Sequence, residues 1–193
     1  YWYPVARVQD VSSTPQQVTL LDLKMALYQT ESGAIKLVRD ICPHRGVPLT
    51  QGWVEGEEIV CRYHGLRFNA EGKCTKIPAQ PDLTKISDRF SLTHFPVILR
   101  YGLVWTSVHG RDFQHNNIPI LDTWDDAEHQ SILPAFVDIA GSSGRQLEGF
   151  IDVAHFAWVH HEAFADRDNP VVPKYHTEKT AYGLKSTYIS GVS

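Results

Sequence analysis

The chain has 193 residues and a formal charge of −4, with 42% hydrophobic and 21% charged residues, ordinary values for one or two globular domains with a sizeable core. Its scattered basic residues leave no nucleic-acid footprint, and no apolar run is long enough to span a membrane. Three cysteines are too few, and odd in number, for a disulfide framework, which fits a reducing, cytoplasmic setting.

Tyr1-Trp2-Tyr3-Pro4-Val5-Ala6 opens the chain with aromatic and β-branched residues and predicts a strand. There is no initiating methionine and no visible secretory signal, so the true start is expected upstream. Val18 to Leu23 and Met25 to Tyr28 read as short strands. Glu31-Ser32-Gly33 is a turn before Ala34 to Val38, which predicts a hairpin. Glu57 to Val60 is a further strand, and Leu66 to Asn69 with Ala70-Glu71-Gly72 is a strand and turn. Ile77-Pro78-Ala79-Gln80-Pro81 is a Pro-marked loop. Phe95 to Leu99 and Leu103 to Trp105 complete a first domain, residues 1–108, because His109-Gly110-Arg111-Asp112 breaks the alternation.

An irregular connection to Pro134 opens the second domain, residues 109–193. Phe136 to Ile139 reads as a strand. A helix is expected from about Gly144 to Glu162, rich in apolar residues and free of proline, with Ser143 and Gln146 at capping-box spacing. Leu184 to Ile189 is strand-like again.

Two segments carry the chemistry. Cys42-Pro43-His44-Arg45-Gly46 and Cys61-Arg62-Tyr63-His64-Gly65 each offer one thiol and one imidazole on a loop closed by glycine. Two irons can share such a set asymmetrically, with both sulfurs on one and both imidazoles on the other. That is the ligand set of a Rieske [2Fe–2S] centre, whose imidazoles raise the potential above that of an all-cysteine cluster. A Cys2His2 zinc site is the competing reading, although zinc fingers usually take two Cys from one segment and two His from the other. Cys74 is the remaining cysteine and reads as a packed small side chain.

The predicted helix carries Asp152, His155 and His160, with His161 beside the last. Two imidazoles on an apolar helix can hold a divalent metal such as iron as part of a 2-His-1-carboxylate set. In a straight helix His155 and His160 lie about 140° apart, so a π-type bulge is expected between them. The plainer readings are a hydrogen-bonded core histidine and a His160–His161 cation pair at a helix C-terminus.

Cys42-Pro43-His44-Arg45-Gly46-Val47-Pro48-Leu49, Gly52, Gly56, Ile59, Cys61-Arg62-Tyr63-His64-Gly65, Phe68 and Gly72-Lys73-Cys74 resemble the Rieske domain of ring-hydroxylating and O-demethylating oxygenases. The similarity is to the phthalate dioxygenase and vanillate O-demethylase branch. Respiratory Rieske proteins carry an extra cysteine in each loop, joined by a disulfide; Val47 and Tyr63 stand there in this chain. Leu66 also replaces their cluster-facing serine, and fewer donors toward the sulfurs imply a lower potential.

The resemblance implies a mainly β plus α+β fold. A small antiparallel Rieske domain precedes the start of a helix-grip-like catalytic domain that continues beyond Ser193. It implies Cys42, His44, Cys61 and His64 as cluster ligands and His155 and His160 as ligands of a mononuclear Fe(II). Asp152 is implied as the bridge that passes electrons from a neighbouring subunit's cluster. Relatives often carry Glu-Asn where this chain has Glu148-Gly149, and their third iron ligand is a downstream aspartate with no counterpart here.

The function so implied is that of a terminal oxygenase component. It would be served by a flavin-containing reductase and/or a ferredoxin, use O2, and oxidise an aromatic or other cyclic substrate in a pocket lined by Phe150, Phe156 and Trp158. A homotrimer, or a multiple of one, is expected from head-to-tail contacts. A Rieske ferredoxin-type carrier without oxygenase activity is the alternative.

Overall fold

The computed structural model describes residues 1–109, 118–181 and 183–189. These fall into two compact units, Tyr1–Phe136 and Val137–Ser193. The expectations for His109-Gly110-Arg111-Asp112 lie largely outside the described residues.

The first unit is built from three antiparallel sheets. At its centre lie β1 (Gln16–Leu20), β2 (Leu23–Gln29), β3 (Ile35–Arg39) and β4 (His94–Phe95), paired in that order. Met25, Ala26, Leu27 and Tyr28 are all fully buried, because this sheet is covered on both faces and its strands lose the usual polar alternation. Met25, Leu27 and Leu37 pack toward one core with Ala6 and Val104. Ala26, Tyr28 and Val38 pack toward another with Cys42, Leu49, Ile59, Cys61, Leu66 and Phe68.

The first core is closed by a sheet of β5 (Tyr3–Arg7), β6 (Leu103–Thr106) and β7 (Val97–Arg100), with β6 in the middle. Its outer face holds Trp2, Tyr101, Trp105 and Ile118, with Trp124 packed against them. The Tyr101 hydroxyl accepts from the Leu121 N–H at 3.0 Å. Those contacts extend the compact unit past Val108 to Phe136.

The second core is closed by β8 (Trp53–Glu55), β9 (Glu58–Val60), β10 (Arg67–Phe68) and β11 (Cys74–Lys76), a meander in chain order. Two hairpin turns are tied together at one end. Glu31 N–H donates to the Gly56 carbonyl at 3.0 Å, and Gly56 N–H returns a bond to the Glu31 carboxylate at 3.1 Å. Ser32 donates to Glu57 through its N–H (2.8 Å) and its hydroxyl (2.9 Å).

These Ser32 bonds, backbone first, hold the Glu57 carboxyl below its ordinary value of 4.5. A depressed folded-state value means stability that is complete above the unfolded carboxylate range and lost as pH falls through the folded one. Glu57→Gln is therefore expected to lower the melting temperature at neutral pH, with the gap to wild type closing on acidification. A gap unchanged down the acid limb of a melting-temperature profile would refute this role.

The second unit has α1 (Ser143–Ile151), α2 (Phe156–Val159) and a hairpin of β12 (His176–Thr180) and β13 (Gly183–Thr187). Three expectations are corrected here. Phe136 to Ile139 forms no strand. The helix N-cap is Ser142, whose hydroxyl accepts from Arg145 N–H at 3.4 Å, so the cap falls one residue before Ser143. The helix predicted to reach Glu162 breaks at Asp152. The Asp152 side chain accepts from the Ala154 N–H at 2.9 Å, an Asx turn that competes with the helical ladder. Among the described residues no helix is long and apolar enough to cross a membrane.

Candidate metal centres

The two thiol–imidazole loops share one backbone plan. Cys42 N–H donates to Val47 O (2.8 Å) and Gly46 N–H to Cys42 O (2.9 Å); Cys61 N–H donates to Leu66 O and Gly65 N–H to Cys61 O, both at 2.9 Å. Each cysteine is thus pinned through its own N–H and C=O across a five-residue turn. Gly46 and Gly65 sit at φ +73° and +69°, a conformation that glycine adopts without strain. A Cβ on Gly65 would also meet Pro78 Cγ at 3.1 Å, so the Pro-marked loop covers the second turn.

Asp40 braces the first loop at both ends. Its carboxylate accepts from Thr50 N–H (2.9 Å), the Thr50 hydroxyl (2.8 Å) and the Gln17 amide (2.5 Å). Phe90 and Leu92, from the segment before β4, pack on the same core. The sequence reading missed these supports, because Asp40, Thr50 and Phe90 carry no motif spacing.

The four donors are sorted by depth. Cys42 and Cys61 are buried, at 2% and 1% exposure, whereas His44 is half-buried and His64 exposed. Burial pushes the Cys42 thiol up to about 11, against the backbone N–H bond from His44, with the neighbouring Cys61 adding to the rise. A thiol so placed ionises against a strongly positive partner such as a metal. Burial, then the nearby His64 and Arg45, lower the His44 value, which favours the neutral imidazole that a metal needs.

The His44 and His64 ring centroids are 4.6 Å apart. With metal–nitrogen bonds of about 2.1 Å, two imidazoles sharing one ion hold their centroids roughly 4.5–5.5 Å apart. His44 Nδ1 is also buried without a hydrogen-bond partner among the described residues, a state that costs free energy unless the lone pair is used. Among the described residues no three His, Cys, Asp or Glu side chains gather tightly enough for a single ion. The donors instead form a thiol pair and an imidazole pair, and this arrangement fits a two-iron cluster.

In the second unit, the predicted π bulge is absent among the described residues; the backbone from His155 is helical and leaves that conformation at His160. After the Asx turn, His155 sits at the N-cap and His160 at the C-cap of the single-turn α2, with His160 at φ −115°, ψ 21°. The two imidazoles meet with centroids 5.2 Å apart, within the range for a shared ion. Asp152 Oδ2 lies 3.5 Å from His155 Nδ1. His161 is directed elsewhere, its Nδ1 lying 3.2 Å from the Trp158 carbonyl.

Of the three side chains expected to line a pocket, Phe150 and Trp158 are 73% and 59% exposed. Phe156 does line one of about 330 Å³, with Phe164, Val172 and Tyr188 among its walls. In this unit Phe150 lies on α1, which buries none of its residues, and Trp158 is exposed on the single-turn α2.

Residues 1–95 match the family model for the Rieske [2Fe-2S] domain. The iron-sulfur subunit TsaM2 of a toluene-4-sulfonate monooxygenase system, from Comamonas testosteroni, is 33% identical over 160 residues, covering 82% of this chain and 45% of the relative. The 3-chlorobenzoate-3,4-dioxygenase oxygenase subunit of the same species is 30% identical over 200 residues, covering 95% and 45%. The first half of the chain belongs to the Rieske [2Fe-2S] domain family, and the relatives it matches are Rieske oxygenase subunits. Methylxanthine N1-demethylase NdmA of Pseudomonas putida agrees in sequence and in structure. It is 28% identical over 182 residues, and its solved structure superposes with a TM-score of 0.85 at 26% identity, covering 98% of this chain and 58% of that one. The chain spans about half the length of the curated relatives it matches. A Rieske domain holds a [2Fe–2S] cluster, and the mainly β fold with its α+β continuation is the one expected.

Proposed function

We propose that the chain acts as the terminal oxygenase component of a Rieske-type ring-hydroxylating or demethylating system. The observation that carries this reading is the His155–His160 pair at 5.2 Å in the same chain as the two cysteine–histidine loops, since an electron carrier has no use for a second donor set.

When bound, the cluster supplies one-electron storage and a mononuclear Fe(II) supplies O2 activation. Cys42 and Cys61 would hold the cluster from the buried side and His44 and His64 from the outer side, the side open to electron exchange. His155 and His160 would hold the mononuclear iron. Asp152, close to His155, would bridge this site to the cluster of a neighbouring subunit in a homotrimer or a multiple of one.

A flavin-containing reductase and/or a ferredoxin delivers reducing equivalents that originate in NAD(P)H. The substrate is a small aromatic or cyclic compound, the class to which toluene-4-sulfonate, 3-chlorobenzoate and methylxanthines belong, the compounds in the relatives' names. A cytoplasmic location fits the reduced cysteines.

Iron content tests the reading. The purified protein is expected to hold about three irons per chain, two in the cluster and one on the histidine pair. His155→Ala with His160→Ala is expected to leave about two irons and an unchanged reduced-cluster resonance. About two irons in both proteins would establish the carrier reading instead.

A further inference from the structure

The side chains around α2 close into a ring of four aromatic groups. His155 and Phe156 meet edge to face at 4.8 Å, Phe156 and Phe164 at 5.1 Å, and Phe164 lies nearly parallel to His160 at 5.0 Å and 21°. The His160–His155 contact at 5.2 Å completes the circuit. Phe164 is held at that station by its own backbone, its N–H donating to the His160 carbonyl at 3.1 Å.

The two imidazoles are oriented differently. His155 has the Asp152 carboxylate beside its Nδ1. Among the described residues the His160 imidazole has ring contacts alone, from His155, Phe156 and Phe164. A histidine that binds a metal usually has its ring plane set by a hydrogen bond from the nitrogen it does not use for ligation. His160 ends a single-turn helix, where the backbone restrains it less than a helix interior does. The face of Phe164 therefore takes over that task, since a parallel ring at this distance resists rotation of the imidazole about its Cβ–Cγ bond.

We infer that Phe164 is a positioning residue for the iron site: its stacked ring fixes the plane of His160, while Phe156 wedges edge-on between Phe164 and His155 to hold the pair at chelating distance. This rests on the proposed role of His155 and His160 as iron ligands. Phe164 also lines the 330 Å³ cavity, so one ring surface faces the imidazole and another faces space open to a small molecule.

The test measures Fe(II) affinity of the purified, cluster-loaded protein by competition with a chelator of known affinity, and the ferrous–nitrosyl resonance after adding nitric oxide. Phe164→Leu and Phe164→Met keep apolar bulk and remove the ring; the second serves if the first does not fold. Both are expected to weaken Fe(II) binding roughly tenfold and to change the shape of the nitrosyl resonance, whereas Phe164→Tyr keeps both near wild type. Wild-type affinity and line shape in the Leu and Met variants, with binding lost in His160→Ala, would overturn the stacking role and leave the iron site standing. Equal loss in Phe164→Tyr and Phe164→Leu would also overturn it, because the ring would not be what matters. Unchanged iron binding in His160→Ala would overturn both the site and its support.

Discussion

Cys42→Ala is expected to abolish the visible absorption and the reduced-state resonance of the cluster and to lower the melting temperature sharply, whereas Cys74→Ala leaves both spectra intact. The contrast follows from position. Cys42 is buried in the core shared by the central sheet and the β8–β11 meander, facing Cys61 and locked by its N–H and C=O to Val47 and Gly46. Cys74 lies half-buried on β11, with its Sγ 3.6 Å from the Lys76 carbonyl. Removing one buried sulfur deletes a small volume, a packing loss of about 1–2 kcal/mol. The larger loss is the binding free energy of the cluster, which stabilises the folded unit because the unfolded chain presents no such site. At roughly 2–4 °C per kcal/mol for a chain of this size, the packing term alone moves the midpoint a few degrees. Retention of the cluster signal in purified Cys42→Ala, or equal effects of the two substitutions, would remove Cys42 from the ligand set.

The second large effect falls on a residue with no chemistry. Gly52→Ala is expected to prevent folding of the first unit or to destabilise it by more than about 3 kcal/mol, the upper end of ordinary overpacking. A Cβ there would lie 1.9 Å from the Val60 carbonyl oxygen and 3.1 Å from that of Leu49, and a backbone carbonyl in a sheet has nowhere to retreat. Val60 immediately precedes Cys61, so any retreat would displace the second ligand loop. Gly56→Ala is the control. Gly56 has a positive φ of +62° but open space around its Cα, so alanine costs about 1–2 kcal/mol of backbone strain and no clash. Urea unfolding of the two variants separates these cases. A Gly52→Ala midpoint equal to that of Gly56→Ala would show that the close approach relaxes cheaply.

Much of the first unit was legible because its signals are local. The Glu31-Ser32-Gly33 turn between apolar runs predicted the β2–β3 hairpin, and Gly46 and Gly65 marked the two loop closures. The doubly covered central sheet was less legible. Lys24-Met25-Ala26-Leu27-Tyr28 shows no polar alternation, and which side chain faces which core depends on sheets formed by residues 3–7, 53–76 and 97–106. In the second unit the helix was misread because apolar content and the absence of proline carry no trace of Asp152 turning back onto the Ala154 N–H. Phe164 stood four residues after His160 in plain view, yet that spacing is common in any helical stretch and pointed to nothing until the rings were seen stacked.

The sequence by itself determined the candidate donors: two Cys–His loops with equal Cys-to-Gly spacing, and an Asp-x-x-His-x-x-x-x-His run, because ligand chemistry is a property of residue type and short spacing. Only the tertiary structure decided depth and convergence. It put the thiols inside and the imidazoles outside, braced the first loop with Asp40 and Thr50, broke the helix at Asp152, and brought His155 and His160 together across the single turn of α2 without a bulge. Those outcomes are set by packing among segments distant in the chain and by a side chain outcompeting the backbone ladder, neither of which leaves a periodic mark in the sequence.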